Sequence, residues 1–86
     1  MEYIGIDKEG TANNIKNMIK RRGLTYKVVQ EELGLGSVQA VYGWTRRNNN
    51  LPTVDNLVCL ARLFDCSMDD MIATTTYGGG VIENDR

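Results

Sequence analysis

Apolar residues recur at helical spacing along most of this chain, and they predict a series of short helices. The first helix begins at Thr11, a residue type that caps helices, and ends near Arg22. Its apolar stripe consists of Ile15, Met18 and Ile19. Gly23 follows and suits a left-handed helix end.

Two further helices are predicted around a turn that contains Gly34 and Gly36. Thr25 caps the second helix, which runs to Leu33, and Ser37 caps the third, which runs to about Arg47. The inward faces consist of Val29 and Leu33 on the second helix and of Val41 and Trp44 on the third. Trp44 is therefore predicted to be a core residue. The outward positions of the third helix are Gln39, Tyr42, Gly43 and Arg46, with Arg47 at its end.

Beyond Pro52, the pattern predicts a fourth helix from Val54 to Phe64 and a short fifth helix that opens at Ser67 and ends near Ala73. The core face of the fourth helix consists of Leu57, Leu60, Ala61 and Phe64. Cys59 and Leu63 form a second apolar strip on another face of that helix. Two interpretations of this strip stay open, an interface between copies of the chain and cover by one of the terminal tails.

The two ends of the chain lack helical periodicity. Three threonines and three glycines follow the fifth helix, which favours extended backbone and then a turn. Tyr3–Ile6 is predicted to pair with Val81–Ile82, either within the chain or across a dimer. The fold class is therefore all-α, with five helices in one domain over residues 11–73 and extended or flexible tails over 1–10 and 74–86.

Charge is polarised along a chain whose net charge is only −1. Residues 11–47 carry seven basic and two acidic side chains, a net charge of +5. Residues 1–10 have a net charge of −2 and residues 48–86 a net charge of −4. The half that holds the glycine turn is thus basic, as expected of a surface that meets phosphates, although a solvated helix face explains part of this charge.

Cysteine and histidine usage gives little support to an enzyme or a metal protein. Cys59 and Cys66 are the only cysteines among 86 residues, and there is no histidine. Two thiols alone do not complete a structural zinc site, so both are interpreted as reduced, small apolar side chains. We expect no catalytic residues, no metal and no cofactor.

The first ten residues show no signal-peptide pattern and no apolar run reaches membrane-spanning length, which predicts a cytoplasmic protein that does not associate with membranes.

Several of these segments, in this order, resemble the Cro/repressor-type helix-turn-helix proteins, also called the XRE-like family. The resemblance covers about residues 13–72. It rests on Leu24-Thr25, Gly34, Val41-Tyr42-Gly43-Trp44, Leu51-Pro52-Thr53-Val54-Asp55-Asn56-Leu57 and Ser67-Met68-Asp69-Asp70-Met71-Ile72. It implies a lambda-repressor-like domain of five helices that binds DNA as a homodimer and represses transcription in bacteria or their phages.

The chain departs from the family pattern at several positions. Gln30 stands where the family usually has alanine, and the turn after Leu33 is one residue longer than the commonest form. Ile19 stands where many members have arginine, so the phosphate contact is expected to pass to Lys20, Arg21 or Arg22. The stretch 47–50 also replaces the usual ending of the third helix, which leaves the details of DNA docking open.

Together, chemistry and resemblance predict a DNA-binding surface. Its residues are Thr25, Tyr26, Ser37, Val38, Gln39, Tyr42, Gly43, Arg46 and Arg47. Glutamine can pair with adenine, and arginine, tyrosine and serine can contact phosphates. For Gln39 a solvated polar role, for Ser37 a purely capping role and for Tyr42 a packing role are the open alternatives.

The predicted function is therefore sequence-specific binding of double-stranded DNA by a homodimeric transcriptional repressor acting on a palindromic operator. A second hypothesis from another class stays open: a protein-interaction module with a repressor-like fold, such as an antitoxin that binds a toxin or a partner of another repressor.

Overall fold

Five helices follow one another in the residues that the computed structural model describes, 3–46 and 51–77, and two short strands enclose them. In chain order the elements are β1 (Tyr3–Ile6), α1 (Lys8–Arg21), α2 (Tyr26–Leu33), α3 (Gln39–Thr45), α4 (Val54–Phe64), α5 (Met68–Met71) and β2 (Thr74–Tyr77). The predicted all-α architecture with five helices is confirmed, and the extended ends take the form of a small antiparallel ribbon.

Hydroxyl side chains begin three of these helices, and those at Thr25 and Ser67 were predicted. Thr25 Oγ1 accepts a hydrogen bond from the Val28 amide at 3.1 Å. Thr53 begins α4 in the same way, and Ser67 forms a reciprocal capping box with Asp70. Each bond satisfies an amide that has no partner inside its helix, which is why the bounds of α2 and α4 could be predicted from the sequence.

The start of α1 was predicted wrongly. The cap is Asp7, whose carboxylate accepts from the Gly10 amide at 3.0 Å, and the helix starts at Lys8. Thr11 lies inside the helix and is buried. Its hydroxyl does not cap the helix but accepts a hydrogen bond from the Ala73 amide at 3.0 Å. This partner is 62 residues away in the sequence, so local pattern gave no sign of it.

The core lies between α1, α4 and the two helices of the predicted helix-turn-helix. Its buried residues are Ile15, Ile19, Val29, Val41, Trp44, Leu57, Leu60, Ala61, Phe64 and Met71. Every residue assigned to a core face by helical spacing is buried or packs against this cluster, including Met18 and Leu33 at its margin. Burial of these side chains supplies the main stabilising free energy of so small a domain.

The two strands bring the ends of the helical domain together. β1 pairs antiparallel with β2, with Ile6 opposite Thr74 and Tyr3 opposite Tyr77. The described partner of β1 is therefore Thr74–Tyr77, and the predicted partner, Val81–Ile82, lies outside the described residues. The ladder continues through the Asp7 amide, which donates to the Ala73 carbonyl at 2.9 Å. This pairing requires extended backbone at Ala73, so α5 ends at Met71, before the predicted end.

Candidate nucleic-acid interface

The start of α2 and the outer face of α3 form one open groove. Its lining consists of Thr25, Tyr26, Lys27, Val38 and Tyr42. Four of these five residues, all except Lys27, belong to the DNA-binding set predicted from the sequence. They come from two segments of the chain, one at the start of α2 and one around α3. The glycine turn and the packing of α2 against α3 bring the two segments together.

Two aromatic rings join the walls of this groove. The ring centroids of Tyr26 and Tyr42 are 4.8 Å apart, with an interplanar angle of 63°. This is the edge-to-face geometry that aromatic pairs favour. Tyr42 nevertheless keeps 40% of its surface exposed. The Tyr42 ring therefore packs against Tyr26 and is still partly exposed to solvent.

An arginine extends the groove towards the end of α3. The guanidinium carbon of Arg46 lies 5.8 Å from the centroid of the Tyr42 ring, within the range of a cation–π interaction. Arg46 is exposed and follows the last residue of α3. Its positive charge is therefore oriented by a neighbouring ring and remains accessible to an anion.

The outward and inward positions of α3 were predicted correctly. Val41 and Trp44 are buried, which confirms Trp44 as a core residue. Gln39 and Arg46 are exposed, and Gly43 is half-buried between them. A methyl group added at Gly43 would meet no atom within 4 Å, so nothing inside the described domain requires glycine there.

Both ends of α3 differ from the prediction. Val38 precedes the helix with no side-chain cap, so the capping role assigned to Ser37 is wrong. The helix ends at Thr45, where the Thr45 hydroxyl donates to the Tyr42 carbonyl at 3.2 Å. A threonine hydroxyl in this position competes for the carbonyls of the last turn. Arg47 lies outside the described residues.

Gln30 has a structural role in the longer turn. Its Nε2 donates to the Leu35 carbonyl at 2.8 Å, and the Leu35 amide donates to the Gln30 carbonyl at 2.9 Å. Gln30 Oε1 is buried without a hydrogen-bond partner. The long side chain thus closes the turn that precedes α3, which is a physical reason for glutamine at this position.

Sequence reasoning missed two lysines at this surface. Lys27 lines the groove between α2 and α3, and Lys16 lines a second concavity with Glu9, Asn13, Thr45 and Arg46. Lys27 follows two predicted site residues directly, so its place in the sequence was a usable signal. For Lys16 there was no local signal, because only the packing of α1 against α3 places it beside Arg46.

The two arginines at the end of α1, Arg21 and Arg22, lie away from the groove between α2 and α3. Arg21 and Arg22 line a cavity with residues from the end of α4 and from α5, including Asp65 and Asp70. The Arg22 guanidinium donates a hydrogen bond to the Phe64 carbonyl and so satisfies the C-terminus of α4. The structure therefore places the predicted phosphate ligands Arg21 and Arg22 apart from Arg46. Lys20 is exposed on α1.

The same cavity contains the Cys66 thiol, whose pKa is raised. Burial raises the pKa of Cys66, Asp70 raises it further, and the charge of Arg22 opposes the shift. Its sulfur lies 3.9 Å from the sulfur of Met18. In residues 3–46 and 51–77, no three histidine, cysteine, aspartate or glutamate side chains form a group that could hold a metal ion.

No helix in the described part of the chain has both the length and the apolar character needed to cross a bilayer. The comparisons with known proteins add no assignment. No protein-family model and no curated protein matches this sequence.

Proposed function

We propose that this protein binds double-stranded DNA sequence-specifically and acts as a homodimeric transcriptional repressor. The observation that carries the proposal is the groove in which Thr25, Tyr26 and Lys27 of the α2 region meet Val38 and Tyr42 of the α3 region. A helix-turn-helix binds DNA with its second helix in the major groove and with its first helix across the backbone. The groove contains side chains from both helices on one side of the domain.

Each exposed side chain of this surface has chemistry that suits duplex DNA. Gln39 carries an amide that can donate to and accept from an adenine edge. Lys27 and Arg46 carry charges for phosphates, and Tyr42 adds a hydroxyl donor. Gly43 has no side chain, and the space beside it leaves room for close approach of a sugar-phosphate backbone.

The distribution of charge supports the same orientation on DNA. Lys16 and Arg46 share a concavity beside α3 with one acidic residue, Glu9. Asp65 and Asp70 lie in the cavity on the other side of α1, together with Arg21 and Arg22. A duplex that binds at α3 would therefore meet a net positive charge, and Asp65 and Asp70 would lie away from its phosphates.

The experiment is a selection from random duplexes, followed by mobility-shift titration of the selected sequence across a range of salt concentrations. Binding through about 6–10 phosphates should weaken by ~10³–10⁵ between roughly 50 and 200 mM salt. Arg46→Ala should weaken binding, and Arg21→Ala is the matched control on the other side of α1. Equal losses from the two substitutions, or affinity that does not change with salt, would overturn the proposal.

The result would also separate the two classes of function. If the protein binds no duplex at any salt concentration but binds a host protein in a pull-down experiment, it is an interaction module with a repressor-like fold.

A further inference from the structure

Helix α1 presents a polar stripe to the end of α3. Glu9, Asn13 and Lys16 follow one another at intervals of four and three residues, so they lie on one side of α1. All three are exposed, and they line one concavity together with Thr45 and Arg46. Thr45 is the last residue of α3, and Arg46 follows it. Two different helices therefore supply the polar groups of one small surface.

The donors of this concavity suit a phosphate group. Lys16 has an ammonium group, Asn13 has an amide, and Arg46 has a planar guanidinium that can bind two oxygens of one phosphate. The ring of Tyr42 lies 5.8 Å from the guanidinium carbon of Arg46 and restricts its position. The Thr45 hydroxyl donates to the Tyr42 carbonyl, so it belongs to the wall of the concavity and not to its donors. The donor set therefore consists of Asn13, Lys16 and Arg46.

One acidic side chain, Glu9, lines the same concavity. It lies in the first turn of α1, where the helix dipole favours a negative charge. Lys16 follows it two turns later, which is a rise of about 10 Å along the helix. Two cations and one carboxylate give the concavity a net charge of +1, so it attracts an anion.

The concavity lies at the opposite end of α3 from the groove that contains Lys27. Val38 and Tyr42 line that groove, whereas Thr45 and Arg46 line the concavity. Val38 and Arg46 flank α3, and the rise of a helix between two such positions is about 12 Å. The major groove of B-DNA is also about 12 Å wide, and a sugar-phosphate backbone borders it on each side. A lysine from a neighbouring helix therefore lies beside each end of α3, at a separation that matches the two backbones.

We propose that Asn13, Lys16 and Arg46 form a binding site for a backbone phosphate of one DNA strand, while Lys27 contacts the other strand across the major groove. Helix α1 thereby becomes a DNA-binding element through its polar stripe and not through the arginines at its end. The inference rests on the proposed function, because it requires α3 to enter the major groove. It adds the strand that each basic residue contacts.

The other basic residues in the second half of α1 do not belong to this site. Arg21 and Arg22 line the cavity beside α5. Lys20 is exposed one turn beyond Lys16 but does not line the concavity. Lys20 is therefore a control of matched charge and exposure on the same helix.

The two predicted dimer residues lie on α4, and neither lines this concavity. Cys59 is exposed, and Leu63 is half-buried against the core. Substitutions in the concavity leave both residues unchanged, so the contact with phosphate is tested separately from the predicted dimer surface.

The test replaces single phosphates of the selected duplex by neutral methylphosphonates, one position and one strand at a time. The affinity of the unchanged chain should fall wherever a contacted phosphate is replaced. Lys16→Ala and Arg46→Ala should each weaken binding to the unmodified duplex roughly tenfold and reduce the salt slope of log affinity by about 1. Both should also reduce the effect of replacing the same phosphate on one strand. Lys27→Ala should reduce the effect of a replaced phosphate on the other strand.

Two matched variants control for charge. Lys16→Arg keeps the charge and should retain affinity, and Lys20→Ala should leave the pattern of sensitive phosphates unchanged. Circular dichroism melting checks that every variant is folded. If the unchanged chain binds the duplex but Lys16→Ala keeps its affinity and its pattern, or if Lys16 and Lys27 act on the same strand, the inference is overturned and the proposed function remains. Absence of duplex binding by the unchanged chain overturns both.

Discussion

Tyr26 and Tyr42 meet edge to face across the groove between α2 and α3, with their ring centroids 4.8 Å apart. One ring follows the Thr25 cap of α2, and the other lies on the outer face of α3. The contact therefore adds to the packing of α2 against α3. It also holds the Tyr42 ring beneath the guanidinium of Arg46.

The first prediction separates the packing of Tyr42 from its hydroxyl. Tyr42→Phe keeps the ring pair, so the free energy of unfolding should change by less than about 0.5 kcal/mol. Tyr42→Ala removes the pair and should lower that free energy by ~0.5–1.5 kcal/mol beyond the effect of lost burial. Both variants should bind the selected duplex more weakly. Urea denaturation and mobility-shift titration measure the two effects, and full DNA affinity in Tyr42→Phe would exclude a role for the hydroxyl.

A glycine on the outer face of α3 provides the second prediction. Gly43→Ala should stabilise the domain by ~0.5–1 kcal/mol, since alanine loses less conformational entropy in a helix and the added methyl meets no neighbour. The same methyl should lower DNA affinity by blocking the approach of the duplex. Gly10→Ala is the contrasting control, because its methyl would lie 2.8 Å from the Ala73 side chain and should destabilise the fold. Thermal melting and mobility shift of both variants provide the comparison.

The third prediction concerns base recognition by Gln39. Gln39→Ala should cost about 1–3 kcal/mol at one base pair of each half-site and relax the preference there. Arg46→Ala should instead weaken specific and non-specific duplexes to a similar extent, because phosphates carry no sequence. Competition binding with single-base operator variants is the measurement. If the ranking of those variants is the same with alanine at position 39, Gln39 does not read a base.

The fourth prediction tests the buried hydroxyl that joins α1 to the start of β2. Thr11→Val leaves the Ala73 amide without its acceptor and should lower the free energy of unfolding by about 1–3 kcal/mol. Thr11→Ser keeps the hydroxyl and should lose less. Equilibrium denaturation of the two variants decides between them. Equal losses would mean that the packing of the methyl group, and not the hydrogen bond, is what Thr11 contributes.

The fifth prediction is a pH dependence of stability from Cys66. Its pKa is raised in the folded chain, so the unfolded chain loses the thiol proton first as pH rises. The contribution of Cys66 is complete below the ordinary thiol pKa of 9.0 and is lost as pH rises through the higher pKa of the folded state. Relative to Cys66→Ala, the unchanged chain should therefore become less stable in alkaline solution. A difference between the two that is constant from neutral to alkaline pH contradicts this, and Cys59→Ala is the exposed control.

Local sequence determined the helices that hydroxyl caps and apolar spacing define together. Thr25 and Thr53 satisfy helix amides three residues away, so the bounds of α2 and α4 could be predicted from neighbouring residues alone. The same is true of the faces of α3, since helical geometry fixes which side Val41 and Trp44 share. These features depend on interactions within a few residues along the chain.

Tertiary structure decided the features that depend on residues distant in the sequence. Thr11 became a buried bonding partner of Ala73, and β1 paired with Thr74–Tyr77, because the ends of the helical domain come together in space. In the same way, the packing of the helices lets Arg22 donate a hydrogen bond to the Phe64 carbonyl, and the contact between α1 and α3 brings Lys16 beside Arg46. Periodicity predicts which face of a helix is buried, but the neighbours of each exposed charge depend on how the helices pack, and only the packing determined that Lys16 lies beside Arg46 while Arg21 and Arg22 line another cavity.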